Sequence, residues 1–219
     1  MFLAIVPAYN EQSTIASVVR SLLPNVDEVV VIDDGSSDAT AELARQAGAT
    51  VLSHELNRGQ GAALETGHEY ARQKGAQYVL HFDADNQFDV ADIAPALERL
   101  RTSGYDILFG SRFLGNGSHI PWLKKHILFP IGRLVNRLFA RTSLTDAHNG
   151  FRILGPKALE KIRLTHDRMA HATELLACVR STGLSYVEYP VKVSYHEFGQ
   201  GIEGGMKIVR DLVVGKFIR

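Results

Sequence analysis

The chain has 219 residues, 24 Lys and Arg against 24 Asp and Glu, 45% hydrophobic residues and one cysteine. A chain this long buries roughly 70–75% of its unfolded surface and folds without staples; its lone Cys178 excludes an intramolecular disulfide and a cysteine-cluster zinc site. Balanced charge argues against disorder and against a general nucleic-acid binder, and the cysteine usage fits a reducing compartment.

Phe2–Val6 is an apolar run ending at Pro7 and predicts a first strand. Gln12–Leu23 places Ile15, Val18, Val19, Leu22 and Leu23 on one helical face. Glu28–Ile32 (EVVVI) is a continuous β-branched run, the pattern of a strand buried on both faces. A helix follows Ser37-Asp38 and runs to about Gln46, stopped at Gly48. Thr50–Ser53 predicts a third strand, Gly59–Lys74 a helix, Tyr78–Phe82 a fourth strand, Asp89–Arg101 a helix and Asp106–Phe109 a fifth strand. This alternation predicts an α/β fold: a mostly parallel central sheet, Rossmann-like, flanked by helices. Such sheets bind ligands beyond the carboxyl ends of their strands. Polar clusters fall there: Asn10-Glu11, Asp33-Asp34-Gly35-Ser36 and Asp83-Ala84-Asp85.

The second half differs. No Asp or Glu occurs from Phe113 to Thr145, where Lys124, Lys125, Arg133, Arg137 and Arg141 are all basic. Trp122–Phe139 reads as a basic amphipathic helix suited either to packing or to an anionic membrane surface. Met169–Thr182 predicts a helix, Tyr186–Tyr195 extended segments around Pro190, and Gly205–Arg219 a last amphipathic helix. The organisation expected is one domain over 1–219, with a nucleotide-binding half at 1–112 and an acceptor half at 113–219. The opening MFLAIVPAYNE has no positive n-region and does not read as a signal peptide. No stretch approaches the ~18–20 apolar residues of a membrane span. The location expected is cytoplasmic, with peripheral contact at the inner face of the membrane.

Asp83-Ala84-Asp85-Asn86-Gln87 is the sharpest chemical signal. Two carboxylates at a strand end suit one hard divalent cation, which takes oxygen ligands and substrate phosphates; Gln87 could add a carbonyl oxygen. A solvated capping loop is the plainer account. Asp33 and Asp34 could accept hydrogen bonds from a nucleobase or from ribose, whereas Ser37 and Asp38 are explained by capping alone. Asn57-Arg58-Gly59-Gln60-Gly61 fits a phosphate-approaching loop or a plain helix start equally well. Arg112 and Arg152 could each clamp a diphosphate or form a surface ion pair. His148 and His196 lie in polar loops near these clusters.

Together, VPAYNE (Val6–Glu11), VIDDGSSDAT (Val31–Thr40), NRGQGAALETG (Asn57–Gly67), FDADNQ (Phe82–Gln87), GSRF (Gly110–Phe113) and DAHNGFR (Asp146–Arg152) resemble the family 2 glycosyltransferases of the GT-A fold. The nearest likeness is to dolichyl-phosphate mannose synthases and other polyprenyl-phosphate glycosyltransferases. The resemblance implies that Pro7, Tyr9, Glu11, Ile32 and Asp34 hold the nucleobase and ribose. It implies that Asp83, Ala84, Asp85 and Gln87 line the diphosphate, with Asp83, Asp85 and Gln87 on Mg²⁺ or Mn²⁺. Arg112 would face phosphate, Asp146 and Arg152 would stand on the acceptor side, and His196 would reach phosphate from the late loop. Similar proteins often carry Lys where this chain has Ile202.

The activity implied is inverting, metal-dependent transfer from a nucleotide sugar of the GDP-mannose or UDP-glucose type. The acceptor would be a polyprenyl phosphate, or alternatively a saccharide or lipid-linked glycan. A hydroxyl acceptor needs a carboxylate base, for which Asp146 and Glu174 are the candidates, whereas a lipid phosphate needs little. A phosphotransferase of the haloacid dehalogenase type leaves Asp33-Asp34 unexplained, and a non-catalytic binding module would have lost the carboxylates that are present.

Overall fold

The computed structural model describes residues 1–114, 144–165 and 171–194. Its strands are β1 (Phe2–Ala8), β2 (Glu28–Asp33), β3 (Thr50–Ser53), β4 (Tyr78–His81), β5 (Ile107–Ser111), β6 (Arg152–Leu154) and β7 (Tyr186–Pro190). They form one seven-stranded sheet in the order β3-β2-β1-β4-β6-β5-β7. All neighbours run parallel except β6, which lies antiparallel between β4 and β5. The helices are α1 (Ile15–Leu22), α2 (Thr40–Gln46), α3 (Gln60–Gln73), α4 (Ile93–Ser103), α5 (Pro156–Lys161) and α6 (His171–Ser181).

Residue alternation along the strands divides the core into two layers. In β2, Val29 and Val31 face one layer with Ala4 and Val6 of β1, packed on Ile15 and Val18 of α1 and Ile93 of α4. Val30 and Ile32 face the other with Leu3 and Ile5, packed on Ala63 and Leu64 of α3 and Leu175 of α6. The unbroken EVVVI run is therefore apolar because both of its faces are covered. In α1 the buried residues are Ile15, Val18, Val19 and Leu22, a single helical stripe.

The mostly parallel sheet agrees with the expectation from the sequence, but β6 and α5 were not anticipated. β6 has only three residues and follows a polar turn, so no alternation could develop. Its place matters to the site, because antiparallel pairing brings His81 of β4 opposite Arg152. The segments 122–139 and 205–219 read as basic helices, and the loop 195–202 with His196 and Ile202, lie outside the described residues. No helix among the described residues is long and apolar enough to cross a membrane.

Candidate active site

The ends of β1, β2 and β4 open onto a cavity of ≈ 510 Å³. Pro7, Ala8, Tyr9 and Glu11 line it from β1, Asp34 from β2, and Asp83, Ala84 and Asp85 from β4. Asn57, Gly59, Gln60 and Ala63 close it from the start of α3. The three acidic strand ends therefore do converge, and the Asn57–Gly61 stretch forms a wall of the same cavity. Tyr9 leaves about half of its surface exposed (49%) beside these carboxylates.

Local backbone geometry sets these side chains. Asn10 and Asn86 both adopt left-handed conformations, φ 56° and 60°, which Asn tolerates better than most residues. Asn10 Oδ1 accepts the Ser37 amide at 2.9 Å, joining the first strand end to the second. Asp38 accepts the Thr40 and Gln12 amides, but the capping expected of Ser37 and Asp38 is not found: Ala39 is the N-cap of α2 and no side chain caps it, while Ser37 bonds Asn10 instead. Gly35, at φ 73°, lies so close to the 56–57 backbone that a Cβ there would stand 2.8 Å from the Asn57 nitrogen.

Asp34 is heavily engaged. Its Oδ1 accepts from His54 Nδ1 at 2.7 Å and from the Arg58 amide at 2.9 Å, and its Oδ2 accepts from the Gly59 amide at 2.6 Å. His54 carried no signal in the sequence; its link to Asp34 exists only in three dimensions. Ile32, assigned by resemblance to the nucleotide, is fully buried in the apolar layer beneath α3. Its side chain belongs to the core and not to the cavity wall.

Asp83 receives the Gln60 amide on Oδ1 at 3.2 Å. Burial, and then the charge of Asp85, push its carboxyl up to about 6, against the opposing pull of Arg152 and Arg112. Two carboxylates that raise each other's cost of ionisation form a site that a cation relieves. No group of three or more His, Cys, Asp or Glu residues suited to a metal occurs among the described residues. Asp83 and Asp85, two carboxylates lining one cavity, fit a hard divalent ion that would take its remaining oxygens from phosphate and water. Gln87 stands just beyond, its amide on Asp85 Oδ1 and its carbonyl accepting from Ser194.

On the other side of Asp83 lies the 146–150 turn. A Cβ on Gly150 would fall 2.0 Å from Asp83 Oδ2, so only glycine lets the turn seat against this carboxylate. Arg112, at the end of β5, grips Asp146 through Nε at 2.6 Å, Nη2 at 3.2 Å and its own amide at 3.2 Å. Asn149 adds a fourth donor at 3.0 Å. The turn is in turn held from β7, where Glu188 Oε1 accepts the amide and hydroxyl of Thr145 at 2.7 and 2.8 Å. Arg152 is buried, and its Nε has no hydrogen-bond partner among the described residues; burial draws its guanidinium down to about 10 while Asp83 and Asp146 act against this. On the same turn, burial and Arg152 hold the His148 imidazole below its ordinary value.

Residues 3–163 match the sequence profile of glycosyl transferase family 2. The chain belongs to that family. An uncharacterized protein of Methanocaldococcus jannaschii, MJ1222, is 32% identical over 97% of this chain and 90% of its own length. The UDP-N-acetylglucosamine–dolichyl-phosphate N-acetylglucosaminyltransferase of Methanococcus voltae is 28% identical over 97% of this chain and 94% of its own. Among solved structures, glucosyl-3-phosphoglycerate synthase of Mycobacterium tuberculosis in complex with Mn²⁺, UDP and glucosyl-3-phosphoglycerate superposes with a TM-score of 0.73 at 19% identity. That match covers 97% of this chain and 77% of the synthase. This family 2 chain is therefore a glycosyltransferase on the GT-A-like fold expected from its motifs.

Proposed function

We propose that this glycosyltransferase moves a hexose, with inversion, from a GDP-mannose or UDP-glucose type donor to a polyprenyl phosphate. The observation that carries the acceptor reading is the engagement of the candidate bases. Asp146 is buried under four hydrogen bonds from Arg112 and Asn149. Glu174 accepts the amide and hydroxyl of Thr165 at 2.8 and 2.5 Å. A carboxylate whose oxygens are already taken by a guanidinium and an amide has little room left to accept a substrate hydroxyl. An acceptor phosphate is already anionic and needs none. The Methanococcus voltae relative, named for a dolichyl-phosphate acceptor, supports the same reading.

The donor lies across the strand ends. Tyr9 offers a ring face, Asp34 and Glu11 accept from base and ribose, and Asp83, Asp85 and Gln87 would hold the divalent ion. What Mg²⁺ or Mn²⁺ supplies there is charge compensation for the departing diphosphate. Arg112, its guanidinium plane fixed by Asp146, adds positive charge on the acceptor side with Arg152 behind it. An oxygen of the acceptor phosphate bonds to the anomeric carbon. The bond from that carbon to the diphosphate breaks, and its electron pair leaves with the nucleoside diphosphate. No proton has to move.

The test supplies labelled GDP-mannose or UDP-glucose, Mn²⁺, and either a short polyprenyl phosphate or the corresponding polyprenol. Label should enter the phosphate-linked product with inverted anomeric configuration. Transfer to a saccharide hydroxyl and none to polyprenyl phosphate would overturn the acceptor assignment.

A further inference from the structure

We propose that His54 is a specificity-determining residue of the donor cavity, one that turns Asp34 into a one-point acceptor and so selects uracil over guanine. The proposal rests on the nucleotide-sugar reading above and names the base that reading left open.

The strand register creates the contact. β2 and β3 run parallel with Asp33 opposite Ser53. The next residues, Asp34 and His54, therefore leave the sheet side by side, and the His54 amide bonds the Asp33 carbonyl at 2.9 Å. The imidazole is largely buried, with 10% of its side chain exposed. Its Nδ1 meets Asp34 Oδ1 at 2.7 Å and its Nε2 meets Thr66 Oγ1 of α3 at 2.9 Å. A nitrogen facing a carboxylate at that distance carries the hydrogen, so Nδ1 donates to Asp34 while Thr66 satisfies the far side of the ring. The ring is thus held from both ends.

A carboxylate offers about four acceptor positions, two per oxygen. His54 and the Arg58 amide fill both on Oδ1. The Gly59 amide takes one on Oδ2. Among the described residues no other donor reaches Asp34, which leaves one position to the cavity it lines.

The sheet order says which part of the donor meets it. The diphosphate belongs at Asp83 and Asp85, after β4. Proceeding outward, β1 and then β2 follow, so Glu11 comes at the ribose and Asp34 at the base, farthest from the diphosphate. Among the described residues Glu11 accepts a side-chain hydrogen bond on Oε2 alone, from Thr14, which keeps room for two ribose hydroxyls. Uracil presents one ring N–H between two carbonyl oxygens and matches a single acceptor. Guanine presents N1–H beside its amino group, a donor pair that needs both oxygens of a carboxylate. With Oδ1 filled by His54, that pair is met by half an acceptor set and the other donor is left unsatisfied.

The experiment measures UDP and GDP binding by calorimetry with Mn²⁺, in the intact protein and in H54N and H54Q. The intact protein should hold UDP at least about tenfold tighter than GDP, the worth of one hydrogen bond to a charged group. In H54N the amide nitrogen stands near the Nδ1 place, and the preference should persist. In H54Q the donor moves to the Nε2 place, Oδ1 reopens, and the ratio should fall to within about threefold. Tighter binding of GDP, or an equal ratio in all three proteins, would overturn the proposal while leaving the glycosyltransferase reading intact. Binding of neither nucleotide would remove the nucleotide-sugar reading and this proposal together. Thermal midpoints of the three proteins separate a lost contact from a lost fold.

Discussion

Gly150→Ala is the sharpest probe of how the two halves of the site are joined. Gly150 does not adopt a positive φ, so its backbone accepts alanine and the effect is steric. The added Cβ would lie 2.0 Å from Asp83 Oδ2, 2.6 Å from Cγ and 2.7 Å from Oδ1. All three are closer than side-chain carbons ever approach, so the turn and the carboxylate must part by about 1 Å. Overpacking of this kind costs about 1–3 kcal/mol, and a misplacement of about 1 Å in a reacting constellation costs about 100-fold in rate. The expected result is a folded protein, a few degrees less stable, with turnover down about 100-fold and a higher Mn²⁺ requirement. Steady-state kinetics across a Mn²⁺ titration and a thermal melt measure both. Wild-type turnover with unchanged Mn²⁺ dependence would refute the idea that the 146–150 turn fixes Asp83.

Further outcomes follow from the same geometry. Asp83→Asn and Asp85→Asn should each cut turnover by at least about 100-fold with melting within a few degrees of the parent, since the amide removes one of two repelling charges. Burial and Asp85 push the Asp83 carboxyl up to about 6, so a cation must displace a proton below that pH. Mn²⁺ affinity measured by calorimetry should be flat above pH 7 and fall about tenfold per unit below pH 6. Burial holds the His68 imidazole below its ordinary 6.5, so the native state binds fewer protons than the unfolded chain once the pH drops under that value. Stability should be fully present above pH 6.5 and decline as the solution is acidified, a slope in the urea midpoint that His68→Gln should flatten.

The sequence was most informative where the signal is local. Periodicity located α1 and β2 because one buried stripe and two buried faces leave direct traces in residue order. Asp83 and Asp85 were legible for the same reason, being two residues apart at a strand end. What escaped depends on register. Asp34 and His54 meet because β2 and β3 pair with Asp33 opposite Ser53. Asp83 and Gly150 meet because β4 and β6 pair antiparallel with His81 opposite Arg152, so two residues forward on one strand lies beside two residues back on the other. Neither pairing can be read from composition, spacing or either strand alone.

The same register argument changes what Asp146 means. Read as a residue in a polar loop, it was a candidate base. In the fold, Arg112 at the end of β5 and Asn149 on the turn both donate to it, and Glu188 of β7 fixes the backbone on which it stands. Its chemistry is to hold a guanidinium in place. Asp146→Asn should then raise the acceptor KM by releasing Arg112, while the pH profile of kcat keeps its shape because no proton transfer is lost. A missing acidic limb in that profile, with acceptor KM unchanged, would restore the carboxylate to the role of base and with it a hydroxyl acceptor.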